Sequence, residues 1–514
     1  MPNTETSSCP KKLLIFGIDA ASWKVLNPLL ESGYCPTLNQ LINSGTRADL
    51  QTLNPTVSVM LWTTIATGCL PEKHGIRSWL MEGADTSGQL AITSNLRKVP
   101  AFWNLTDKKR VLIANWWASW PAEHINGVMI SNRAHYPGIQ NAIYPFDKID
   151  TVKSVPFRTK QDIESELTEL NPKKNSLKLS DFLFNQIQRD YFYMDAAMSV
   201  MKGDEFDIVA VFVRGVDILE HDYLHDVLPY DNAPQLKNTE TGIVTAYYRL
   251  LDEKIAEFID LMGPETAVCV LSDHGMDPMI SKPPIIEGLR LDELLEFVCS
   301  DDHDSNTSKL SEIFKDNKRY PPGLVRGISC TKTSFNSTEL NDYLEKLIGC
   351  LQRVMVNGKP MFDTIQKTEN FEECLILSME PETDIKALVT YNNKQTPLLS
   401  LVDFIVHPRS GQHWNAPPGI FLLSGPGINH YNTIKEIDIQ DTMPTLLALM
   451  DFNVSESIDG RPRSDFITND CWSEHPVKWV ESYPTLPSSG RQMTENPDID
   501  KQIKSELKSL GYIQ

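Results

Sequence analysis

What this chain lacks narrows it first. No apolar run approaches the roughly 18 residues of a membrane-crossing helix, so no transmembrane segment is expected. Positive charge is short: 48 Lys and Arg stand against 68 Asp and Glu, for a formal charge of -20 and a pI near 5.0. That balance argues against a nucleic-acid backbone or an anionic membrane as the main partner, while leaving room for a local basic pocket for a small anion. The nine cysteines are odd in number and lack CxxC spacing, which predicts a reducing compartment and no disulfide framework. No internal repeat is present. The apolar run after Lys12 is short and leads directly into Asp19, which reads as a first core strand of a cytoplasmic protein rather than a signal peptide. With 514 residues, 41% of them hydrophobic, a large buried core is within reach.

Short apolar, partly β-branched runs mark buried strands. They fall at 13–18, 110–115, 128–131, 207–213, 267–271 and 419–425. Between them lie helical patterns: one after Pro36 stopped by Gly45, one from Ser58 to Gly68, charged helices within 150–205, and one from Thr239 to Met262 ended by Gly263. Another carries Met443, Leu446, Leu447 and Leu449. This alternation predicts an α/β fold with a largely parallel central sheet and helices on both faces. The alternation breaks over 280–400, read as an inserted cap with an exposed acidic loop at 300–308. A catalytic core is thus expected over 12–279 and 401–465. A C-terminal extension over 466–514 is irregular at 470–495 and closes with a terminal helix.

The chemistry-bearing residues cluster after strands. Asp273 and His274 follow the run Ala267 to Leu271, and the carboxyl ends of strands are where open α/β sheets bind ligands. Asp and His are both common zinc ligands, although such a pair can equally open a capped turn. Asp19 follows the first strand. Arg214 ends the strand at 207–213. Asp217 and His221 come next, four apart and so on one face of a helical turn; a surface pair has the same spacing. Ser58 at a helix start has two readings. It can cap the helix, or it can be a nucleophile where backbone N–H groups hold a phosphate. Trp116, Trp117 and Trp120 read as core. A doubly wound sheet would bring Asp19, Ser58, Asp217, His221, Asp273, His274 and His413 to one edge. Three carboxylates and three imidazoles suffice for two metal ions with open positions, and the lack of cysteine suits a hydrolytic site.

The ordered set resembles the alkaline phosphatase superfamily, in its type I phosphodiesterase/nucleotide pyrophosphatase branch. Within that branch it is most similar to a bacterial and archaeal group described as predicted phosphohydrolases or phosphomutases. The stretches that carry the likeness run in order: Gly17 to Ala20, Trp62 to Gly68 with Pro71 to Ile76, Asp217 to His221, Ser272 to Gly275 and Ser410 to His413. Gly425 to Ile428 and Asp459 to Pro462 extend it. The resemblance implies an alkaline phosphatase-like fold and two divalent ions, zinc on the strength of the histidines with manganese as the alternative. Asp19, Asp273 and His274 would hold one ion, with Ser58 as fourth ligand and nucleophile; Asp217, His221 and His413 would hold the other. The pair would clamp the transferred phosphoryl group, and a covalent phosphoserine would form and be hydrolysed.

His74 belongs to the family pattern but reads as structural. Many members of the branch carry an asparagine shortly after the His-Gly-Ile stretch that touches a phosphoryl oxygen. Spacing puts Trp79 at that place, which bears against an ordinary nucleotide diesterase; Arg214 or Arg77 would have to supply the contact. Cys69 to Lys73 superficially matches the sulfatase Cys-x-Pro-x-Arg signature but ends in lysine, so Cys69 reads as structural. The expected function is a two-metal phosphohydrolase, a phosphodiesterase, acting on a small-molecule phosphate ester. A phosphomutase, phosphotransferase or phosphomonoesterase is the alternative, and a binding protein without turnover the third reading.

Overall fold

The computed structural model describes the chain except for residues 1–7, 83–88, 107, 230–235, 280–284, 300–309, 318–324, 331–336, 363, 371–372, 379–386, 406–409, 414–416, 485–500, 502 and 506–514. It divides into two compact units. The first comprises Met1–Arg77, Leu90–Met279 and Arg409–Asp500; the second comprises Ser78–Gln89, Ile280–Pro408 and Lys501–Gln514.

The first unit is built on a nine-stranded sheet. In chain order its strands are β1 (Lys12–Ile18), β2 (Gly45–Gln51), β3 (Val111–Ala114), β4 (Gly127–Ile130), β5 (Ile143–Tyr144), β6 (Ile208–Val213), β7 (Thr266–Leu271), β8 (Gly419–Ser424) and β9 (Lys435–Asp438). They lie side by side as β9-β2-β8-β7-β1-β6-β3-β4-β5. Strands β7, β1, β6, β3 and β4 are mutually parallel, while β8 runs against both β7 and β2 and β5 runs against β4. The central strands are buried along their whole length, as near-continuous apolar runs in a sheet covered on both faces require. Flanking helices include α1 (Ser58–Thr67), α2 (Asp181–Met201), α3 (Gly215–Tyr223), α4 (Ile243–Met262) and α5 (Thr442–Leu449).

All six apolar runs form strands of this sheet, and the structure adds β2, β5 and β9. Gly45 does not stop the preceding helix by a left-handed turn; Ser44 caps it and Gly45 opens β2. A Cβ on Gly45 would sit 2.3 Å from the Leu423 carbonyl oxygen on β8, so glycine is there for close strand approach. The tail at 470–495 is more regular than its composition predicts, with a helix at Asn469–Glu474 and a short strand at Lys478–Val480. The expected acidic loop at 300–308 and most of the terminal helix lie outside the described residues.

One expectation is overturned. Cys9 and Cys471 form a disulfide across a sequence separation of 462. Local cysteine spacing carries no trace of a pair that only the fold brings together. Cys35, Cys69, Cys269 and Cys350 are buried free thiols.

The second unit has its own core around Leu294, Leu295, Phe314, Ile328, Leu347 and Leu375. A four-stranded antiparallel sheet orders Phe314–Asn317, Val325–Cys330, Glu373–Ser378 and Thr364–Asn370, with helices at Leu291–Cys299 and Ser337–Leu351. Among the described residues, no helix is long and apolar enough to cross a membrane.

Candidate metal centre

Three strand ends in the first unit deliver the site. β1 stops at Ile18, and the Asp19 N–H donates to the Val213 carbonyl at the end of β6 (2.9 Å). Ala20 then takes a left-handed conformation, φ 67°, and turns the chain off the sheet. β6 feeds Arg214, which starts α3, and one turn of that helix carries Asp217 and His221. β7 feeds Ser272, Asp273 and His274, which are fully buried. The Ser272 hydroxyl donates to the His274 carbonyl (2.8 Å) and tightens that turn.

Ser58 is the first residue of α1; Val57 is the cap and makes no side-chain capping bond. The capping reading of Ser58 therefore fails. Its hydroxyl donates instead to Asp19 Oδ1 at 3.3 Å, in a position only 4% exposed. What brings α1 so close to β1 is Gly17: a Cβ there would lie 2.7 Å from the Trp62 ring. Trp62 also packs edge-on against Trp116 and Phe212, which makes Trp116 core as expected.

The imidazoles are oriented by partners on their far nitrogens. His274 Nδ1 lies 3.0 Å from the Gly275 carbonyl and His221 Nδ1 lies 3.1 Å from the Gly411 carbonyl. A carbonyl only accepts, so Nδ1 carries the proton in both rings. His413 Nδ1 is 3.0 Å from Thr56 Oγ1, whose own proton goes to the His413 carbonyl (2.7 Å); Nδ1 must donate here too. In the neutral rings the remaining lone pair is on Nε2. His274 Nε2 is 3.6 Å from both Asp19 Oδ1 and Asp273 Oδ2, and His221 Nε2 is 3.6 Å from Asp217 Oδ1. The His413 ring centroid lies 5.0 Å from that of His221 and 4.7 Å from that of His274. Lone pairs facing carboxylates repel unless a cation lies between them, and an outer Nδ1–H bond to a carbonyl or hydroxyl is how metal-binding histidines are fixed.

The donor set fits a divalent ion on three further counts. Asp19 Oδ2 and His274 Nε2 are buried without a hydrogen-bond partner, which is costly for polar atoms. Burial first, then the charges of Asp273 and Asp217, push the Asp19 carboxyl well above the usual carboxylate range. Burial chiefly pushes Asp273 up to about 8. Asp217, His221 and His413 each offer a ligand atom within 4.8 Å of one another, and so do Asp19, Asp217 and His274.

Of the remaining candidates, Arg214 is buried, bonded to Gln186 and 5.7 Å over the Trp117 ring. Arg77 is exposed, 3.6 Å from Glu72. Trp79 is buried and belongs to the second unit. His74 takes the structural place expected of it: Nδ1 accepts from the Ile76 N–H (3.1 Å) and Nε2 lies 3.1 Å from Thr64 Oγ1. Cys69 is buried, and burial pushes its thiol up to about 11.

Three supporting groups receive no role from the sequence. Thr56 orients His413, and its only signal is its place two residues before Ser58. Ser410 Oγ bonds the His225 backbone N–H (2.8 Å) and the His225 ring, tying the His413 loop to the end of α3. Asp190 on α2 accepts the N–H groups of Arg214 (3.2 Å) and Gly215 (2.7 Å), with the Tyr247 hydroxyl beside them. It thereby holds the start of the helix that carries Asp217 and His221.

The model of the type I phosphodiesterase / nucleotide pyrophosphatase family matches residues 13–372. No curated protein matches significantly. Among solved structures, phosphonoacetate hydrolase from Sinorhizobium meliloti 1021, in complex with phosphonoacetate, is similar with a TM-score of 0.51 at 14% identity, covering 86% of this chain and 96% of its own. An inactive form of murine ectonucleotide pyrophosphatase / phosphodiesterase 5, in complex with AMP, gives 0.50 at 13% identity, covering 89% and 100%. At these identities the likeness is one of fold.

Proposed function

Since the chain belongs to the type I phosphodiesterase / nucleotide pyrophosphatase family, we propose that it is a two-metal phosphodiesterase that cleaves small phosphate esters through a phosphoserine on Ser58. The observation that carries this reading is the convergence of oriented imidazole Nε2 atoms on buried carboxylates beside a buried serine hydroxyl. We assign Asp19, Asp273, His274 and Ser58 to one ion and Asp217, His221 and His413 to the other. Zinc is the metal that the histidines favour, and manganese the alternative. When bound, such ions act as Lewis acids on phosphoryl oxygens and lower the pKa of the oxygens they hold.

The chain's own residues supply the rest. Ser58 sits where the first N–H groups of α1 favour an anion. Its bond to Asp19 Oδ1 fixes the hydroxyl before substrate arrives. In the first step the Ser58 Oγ–phosphorus bond forms and the bond to the leaving alcohol oxygen breaks, with Ser58 losing its proton and the alcohol gaining one. In the second, a water oxygen attacks phosphorus, the Oγ–phosphorus bond breaks, and Ser58 is reprotonated as the phosphomonoester leaves. Arg214, buried at the head of α3, is the residue we assign to a substrate oxygen. Arg77 is the weaker candidate because it is exposed.

The test is metal content of the purified protein, with hydrolysis of bis(p-nitrophenyl) phosphate and p-nitrophenyl phosphate before and after chelation. About two ions per chain and chelator-sensitive diester cleavage are expected, as a two-ion clamp requires. Preference for the monoester would move the reading to a phosphatase or mutase. Full activity in Ser58→Ala on every ester would sink the nucleophile assignment. The cytoplasmic location suggested by cysteine spacing and the oxidising one favoured by a Cys9–Cys471 bond are separated by thiol counting on protein alkylated at the moment of isolation.

A further inference from the structure

The first unit holds a concavity of about 830 Å³, which takes in Lys11, Lys108, Lys109 and Lys478. Lys11 immediately precedes β1, whereas Asp19 follows that strand's far end. Eight residues of extended chain at ~3.3 Å each put about 26 Å between this rim and the metal centre. We propose that the cavity is a binding site for a small organic anion, a carboxylate or phosphate group on an aromatic or apolar body, separate from the metal centre.

Three observations carry it. The first is charge. Four lysines come from three distant stretches of a chain whose formal charge is -20. The acidic partners are Asp451, 2.5 Å from Lys478, and Glu265, 2.8 Å from Lys11. Lys109 Nζ spends one donor on the Lys11 carbonyl (3.2 Å). These contacts hold the rim, and the ammonium groups of Lys108 and Lys109 exceed the carboxylates there. Surface lysines ordinarily spread apart, so gathering them round a hollow is unfavourable until an anion enters.

The second observation is the lining. Leu105, Met450, Phe452 and Tyr483 give it an apolar part, and the Tyr483 hydroxyl is held by the Asn453 carbonyl (3.0 Å), which fixes that ring. A free inorganic ion would leave this surface wet, whereas an anion with an aromatic body would cover it. The third is size: the volume falls within the ~300–1,000 Å³ of small-molecule sites, and the overall negative charge opposes a nucleic acid or an anionic bilayer as occupant.

The probe is phenylphosphonate, which has no ester bond to hydrolyse, with benzyl alcohol as the neutral control. The readout is lysine acylation by mass spectrometry on the full-length protein as purified, which reports each lysine separately and is blind to phosphonate held at the metal centre. At saturation, phenylphosphonate is expected to slow acylation of Lys108, Lys109 and Lys478 by about tenfold, as ~90% occupancy dictates, while benzyl alcohol leaves them unchanged. In Lys108→Gln/Lys109→Gln, two changes on the surface, the protection of Lys478 should disappear. Equal acylation rates with and without phenylphosphonate would overturn the site, as would protection of Lys478 that survives in the double variant.

Discussion

Two histidines of this chain show how partners decide what an imidazole is for. His74 and His274 are both buried. In His74 the Nδ1 lone pair is taken by a backbone N–H and Nε2 faces a threonine hydroxyl that donates its own proton to the Met60 carbonyl. The ring is fixed neutral, and burial first, then Arg97, lowers its pKa to about 3. The unfolded chain binds that proton near pH 6.5 and the folded chain does not. Stability should therefore fall as pH drops from about 6.5 to about 3, by up to ~1.4 kcal/mol per pH unit from this one group. Urea unfolding at pH 7 and pH 5 checks it: His74→Asn should be less stable at pH 7 and show a flatter pH dependence. In His274 the lone pair instead faces carboxylates. For His413 the orienting group is Thr56, and Thr56→Val should cost about 10- to 100-fold in metal affinity, the usual effect of an outer-shell loss. Chelator competition measures it, and unchanged metal retention would remove Thr56 from that role.

At the scale of elements, the site depends on how α1 and α3 are seated. α1 approaches β1 only because Gly17 leaves room for Trp62. Gly17→Ala should cost about 1–3 kcal/mol as an overpacking change and lower turnover through displacement of Ser58. A melting curve and a rate constant on the same protein test both halves. α3 is held by Asp190, and Asp190→Ala should strand two buried N–H groups at about 1–3 kcal/mol each; denaturant titration reads the loss. The strands that deliver Asp19, Asp217 and Asp273 were legible because each is a short apolar run ending in a polar residue. β2 was not: Thr46, Arg47, Asp49 and Gln51 break its apolar pattern, and its place in the sheet comes from pairing with β8. β9 is only four residues, Lys435–Asp438, and three of them are charged. Asp190 was illegible for another reason. It lies mid-helix among aromatics, and only the tertiary packing of α2 against the start of α3 gives it work.

At the scale of the whole molecule, ordered motifs spread over four hundred residues made the family readable where no single stretch did, since each marks a strand end and the sheet collects strand ends. Composition misled in one respect, for the distance between Cys9 and Cys471 along the chain hides their meeting in space. If two ions do hold the centre, chelation should also lower the melting temperature, because ligands bound only in the folded state stabilise it by mass action; calorimetry with and without chelator tests this independently of turnover.

The Cys9–Cys471 bond also changes what kind of object the polymer is. It closes residues 9 to 471 into a covalent ring that leaves residues 1–8 and 472–514 outside it, and the whole of residues 280–408 lies on the ring. One cut there would open the ring without releasing a piece. A singly nicked molecule should run as one body in unreduced electrophoresis and as two once the disulfide is reduced; two fragments without reductant would mean the ring was never closed. A single proteolytic cut in the second unit therefore costs the molecule no residues, and both resulting fragments stay joined through the first unit.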